Sequence, residues 1–162
     1  MAVLCDFFYP FVRDRREKKD LSKTEEEVMY GYIRTLGDQR YSQSIPMFLE
    51  WFKDNKRMGL EADVYPLAAM GTDSLYAIMP LLDSEESYHR ANAIELLQVS
   101  SRSNPKSVYS NPVTEYEYQR MIPIYKEKIL PKLRNMASEE ASEPLRKKAS
   151  AAIAEIEMEI NR

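Results

Sequence analysis

The sequence predicts an all-α protein built from stacked pairs of helices, and three observations carry that prediction. Helix formers (Glu, Lys, Leu, Met, Ala, Arg) dominate the 162 residues, while only four glycines occur and strand-like alternation is scarce. Apolar residues recur at the three- and four-residue spacing of a helix face. Lastly, "LGDQRYSQSIP" at 36–46 and "MGTDSLYAIMP" at 70–80 share their punctuation: a large apolar residue, Gly, an acid within two residues, and Pro nine residues after the Gly. Aligned at an offset of 34, Ile33 meets Leu67, Leu36 meets Met70, Ile45 meets Met79 and Phe48 meets Leu82. Pro10 precedes Pro46 by 36 residues. A period of 34–36 with two helices per unit signals a right-handed α-solenoid, here of about four helical hairpins.

Each element follows from local chemistry. Leu4, Phe7, Phe8 and Phe11 share one helix face, and Pro10 bends that helix or marks its restart. A charged connector leads to about Lys23. Ser22 with Glu25, or Thr24 with Glu27, makes a capping box for a helix whose inward residues are Met29, Tyr32, Ile33 and Leu36. Gly37 is expected to end it as the left-handed C′ residue. The next helix starts near Ser42 or Ser44, turns Ile45, Phe48, Leu49 and Phe52 inward with Trp51 alongside, and ends around 53–57. Gly59 and Pro66 make its partner short or broken, and Gly71 closes it.

"DSLYAIMPLL" directs Leu75, Ile78, Met79 and Leu82 inward, "DSEES" is a polar turn, and "YHRANAIELLQ" buries Ala91, Ile94 and Leu96 or Leu97. Residues 99–113, "VSSRSNPKSVYSNPV", read as a loop. Thr114 and Glu117 form another capping box, opening a long helical stretch that Pro123 and Pro131 kink. "SEEASEP" interrupts it. Ser142 caps a last helix with Leu145, Ala149, Ala152, Ile153, Ile156 and Ile160 on one face. The helical pairs of this single 1–162 domain fall at about 2–36, 38–70, 72–98 and 114–161.

Bulk chemistry narrows the function. A net charge of −3 argues against a general nucleic-acid binder, which needs surplus Lys and Arg to displace counterions. "RDRREKK" at 13–19 also carries acids and reads as a solvated connector before an interaction patch. The sole cysteine, Cys5, leaves no intramolecular disulfide and fits a reducing, cytoplasmic setting. It lies in an apolar helix, as a buried inert thiol does. No apolar run is long enough for a membrane span. Asp6 interrupts the apolar start and no basic segment precedes it, which makes a poor signal peptide. His89 is the only histidine, without a second His or a Cys near it in sequence, so no metal and no cofactor are expected. Asp38 and Asp73 are read as turn residues, and no Gly-x-Ser-x-Gly elbow appears.

The marks of tetratricopeptide and ankyrin units are absent, but the chain resembles the short HEAT-like repeat of the phycobilisome-lyase type. Such units look like "ALG-x-GDPRAVPALIEAL" followed by "D-x-x-x-VR-x-x-A-x-x-AL". "TLGDQRYSQSIPMFLEWFKD" is similar to the first half, with Asp38 and Arg40 on its Asp and Arg. "MGTDSLYAIMPLLDSEESYHRANAIELL" resembles a whole unit, with Arg90 and Ala91 near its Arg and Ala, and "KILPKLRNMASEEASEPLRKKASAAIAEI" a last one. The pattern departs at Thr72, which replaces an Asp, at Pro66, and before the fourth pair, where the 99–113 loop stands.

The resemblance implies that second helices line a concave face, here Glu26, Tyr30, Arg34, Asp63, His89, Asn92 and Glu95. That mixed polar face, with the 99–113 loop as the other expected binding surface, suits a protein or peptide partner. The eleven tyrosines, several of them off the inward stripes (Tyr30, Tyr41, Tyr76, Tyr88), suit one too. The expected function is a non-enzymatic interaction module: an adaptor, assembly factor or inhibitor. Two alternatives come from the same resemblance. One is a bilin lyase-like chromophore-handling enzyme, and the other a HEAT-like DNA glycosylase, which would need a basic channel. The paired His-Glu motifs of the HEAT-like deoxyhypusine hydroxylases are absent.

Overall fold

The computed structural model describes residues 31, 35–37, 39–54, 67–68, 70–102 and 113–162, with 51–54 as backbone only. All regular structure among them is helical, with no strand. The expected N-terminal helix, Cys5, the caps at Ser22 and Thr24, the breaks at Gly59 and Pro66, and residues 103–112 lie outside the described residues.

Leu36 is buried at the end of a helical segment whose closure differs from expectation. Gly37 is itself helical and buried. The Tyr41 N–H donates to the Leu36 carbonyl (3.1 Å) and the Arg40 N–H to the Gly37 carbonyl (2.9 Å). This is a Schellman closure, and its left-handed residue is Arg40 at φ 51°. The chain continues past the glycine because this closure brings Tyr41 back onto the core, against which it packs. A 3₁₀ turn, Ser42–Ser44, then leads into α1, Ile45–Asp54.

Helix α2, Thr72–Ile78, runs into a 3₁₀ turn, Met79–Asp83. Pro46 and Pro80, aligned in the repeat, each stand second in a helical segment. Helix α3, Ser87–Ser101, extends three residues into the expected loop, because Val99 still faces the core at 5% exposure. Helix α4, Glu115–Ile124, is followed by a π turn, Tyr125–Ile129, and α5, Leu130–Glu139. The kink expected from Pro123 and Pro131 takes the form of this π turn. Pro131 has no N–H, and its ring would crowd the carbonyl four residues back; the Leu130 N–H bonds Tyr125 O instead, widening the ring by one residue. After the break, α6 spans Glu143–Ile160 with Ser142 at its N-cap.

The inward stripes largely match those written in the sequence. Leu75, Ile78, Ile94, Leu96, Leu97, Ala149, Ala152 and Ile156 are fully buried, while Met79, Ala91 and Ile153 pack partly buried against them. Helix α2 packs on α3 and on α4, α3 packs on α6, and α6 on α5. First helix thus meets first helix and second meets second across the two pairs. Helix α1 touches both α2 and α3.

The turn between α2 and α3 and the turn between α5 and α6 are built alike. Arg90 Nη1 donates back to the carbonyls of Ser84 (2.6 Å) and Glu85 (2.9 Å). Arg146 Nη1 does the same to Glu140 (2.5 Å) and Ala141 (3.2 Å). Glu140 joins the two turns: its carboxylate accepts a hydrogen bond from Arg90 Nη2 (3.1 Å) and lies 3.0 Å from Arg90 Nε as an ion pair, while its carbonyl accepts from Arg146. Bonds from the Ser142 N–H and Arg90 hold that carboxyl below the usual carboxylate range.

Two buried tyrosines secure the end of α3. Tyr118 donates to Ser101 O (3.2 Å) and Tyr125 to Leu97 O (3.0 Å). The Ser101 carbonyl is one of the last four of its helix, which have no partner within it. Burial, with Tyr118 nearby, pushes the Tyr125 hydroxyl well above the ordinary tyrosine value.

Candidate functional site

The joint at Gly71 organises the surface between α2 and α4. Gly71 is the N-cap of α2 at φ 65° and ψ −138°, a conformation that is strained for any residue with a Cβ. It offers no side chain to the free N–H groups of the helix. Asp73, expected to bond this turn, is exposed on the first turn. The cap comes instead from another helix. Glu117 Oε1 accepts the Thr72 N–H (2.9 Å) and the Thr72 hydroxyl (2.8 Å).

Glu117 was expected to complete a capping box with Thr114. Half of the box forms, since the Glu117 N–H donates to Thr114 Oγ1 at 3.2 Å. The carboxylate turns away from its own helix to α2, with its second oxygen 3.2 Å from Arg120 Nη1. Partial burial raises its pKa, but the Thr72 N–H, the Thr72 hydroxyl and Arg120 together outweigh this. The carboxyl sits below its usual range.

Gly71 is required for this contact as well as for its own φ. A Cβ there would lie 2.6 Å from Glu117 Oε1 and 2.7 Å from Glu117 Cγ.

This link sits at the edge of a groove of about 500 Å³ between α2 and α4. Thr72 and Tyr76 come from α2; Gln119, Arg120, Pro123 and Ile124 from α4; Glu127 and Lys128 from the π turn. Tyr76 is 49% exposed, and Lys128 Nζ lies 4.9 Å from its ring centroid. A cation–π contact of this exposed kind contributes about 0.5–1 kcal/mol. Tyr116, 75% exposed, lies one helical turn before Arg120, whose guanidinium carbon is 5.9 Å from its ring. Exposed aromatics beside cations are what a protein-docking surface offers.

The expected concave-face residues are placed differently. Glu26, Tyr30, Arg34 and Asp63 lie outside the described residues. His89 is half-buried, its Nδ1 2.9 Å from Ser84 Oγ and its ring against Tyr88. Asn92 is buried at 6% exposure. Glu95 reaches Lys148 on α6 at 2.6 Å. Further along the same seam Glu155 receives Gln98 and Arg102. Partial burial pushes its pKa upward, but those two partners hold it below the usual range. These α3 residues thus work largely within the fold.

Sequence reasoning singled out Tyr76 as off the inward stripe but passed over Tyr116, Arg120 and Lys128. A signal was present: Tyr116, Gln119, Arg120, Pro123 and Glu127 recur at three- and four-residue spacing, an outward helix face. Among the described residues no group of three or more His, Cys, Asp or Glu side chains is placed to hold a metal. None of their helices is long and apolar enough to cross a membrane.

Comparison with protein-family models, curated proteins and solved structures finds no match to this chain.

Proposed function

We propose that the protein is a non-enzymatic interaction module, a short right-handed α-solenoid of HEAT-like helical pairs that binds a protein partner. The observation that carries the binding reading is the groove between α2 and α4, lined by exposed Tyr76 beside Lys128, with exposed Tyr116 next to its lining residue Arg120. The solenoid reading is supported by first helices packing on first, second on second, and by the matching Arg90 and Arg146 turns. The groove replaces the α3 face as the preferred surface, since Asn92 is buried and Glu95 is tied to α6.

The test is the double substitution Tyr76→Ser and Tyr116→Ser. Both side chains are exposed, so helicity by circular dichroism should be unchanged while affinity for a purified partner drops at least tenfold, about 1.4 kcal/mol. Full affinity in the double variant would refute the groove as the docking surface.

A further inference from the structure

We draw no further inference here: the strongest candidate, the groove between α2 and α4 lined by Tyr76, Arg120 and Lys128, belongs to the docking surface already described, and nothing in the structure shows what covers it.

Discussion

Replacing Gly71 with alanine should destabilise the protein in two separable ways. The first is local: φ 65° with ψ −138° lies close to a region that only glycine adopts readily, and a residue with a Cβ there costs about 1–3 kcal/mol. The second is tertiary. The new Cβ would stand 2.6 Å from Glu117 Oε1 and 2.7 Å from its Cγ, so the Glu117 side chain must retreat. Retreat weakens its bonds to the Thr72 N–H and hydroxyl. Hydrogen bonds to a charged group contribute about 1.5–3 kcal/mol, and partial loss at this half-exposed site costs about 1–2 kcal/mol. The total is about 2–5 kcal/mol, a large share of the stability of an ordinary domain. Urea denaturation followed by circular dichroism measures it, and a double-mutant cycle divides it. In a Glu117→Ala background the clash is gone, so Gly71→Ala should cost only the local term of about 1–3 kcal/mol. A total below about 1 kcal/mol, or the same cost in both backgrounds, would refute the reasoning.

Other expectations follow from the same geometry. The folded pKa of Glu117 lies below its unfolded value, so its contribution is complete above the ordinary carboxylate range and is lost as pH falls through the folded pKa. Glu117→Gln should therefore flatten the acid limb of stability against pH, with wild type and variant converging at low pH. Tyr125→Phe should cost about 1–2 kcal/mol by removing the buried bond to Leu97 O. In an ultraviolet titration the same variant should lose little tyrosinate amplitude before unfolding, because burial pushes the Tyr125 hydroxyl well above the ordinary tyrosine value. Arg40→Gly should stabilise the protein by about 0.5–1 kcal/mol, since glycine adopts the left-handed C′ position without strain. A loss of stability there would mean that the Arg40 side chain contributes more than its backbone costs.

Helical periodicity made much of the fold legible, because the spacing of Leu75 and Ile78, or of Ala149, Ala152 and Ile156, records burial directly. Thr114 was legible as a cap for the same local reason. What the sequence hid depends on contacts between distant residues. Glu117 looks like a local capping-box acid, yet its carboxylate serves a helix 45 residues away, and no local pattern records that choice. The repeat suggested two equivalent glycine joints. One glycine is strained beside Glu117, while the other lies inside a helix with Arg40 taking the turn. Glycine lowers the cost of a left-handed residue without dictating where the turn falls. Tyrosine is ambiguous in a similar way: Tyr118 and Tyr125 are buried donors to α3, Tyr116 is largely exposed, and only packing distinguishes them. The groove was hidden for the same reason, since it exists only where α2 lies against α4.

The most direct test of the groove as the working surface is a photoreactive residue placed at position 76, compared with one at position 158 on α6. Tyr76 lines the groove, and Met158 is about equally exposed at 52% but is not part of its lining. The account predicts covalent adducts with one protein from position 76 and none from position 158. Equal yields from both positions, or adducts confined to position 158, would contradict it.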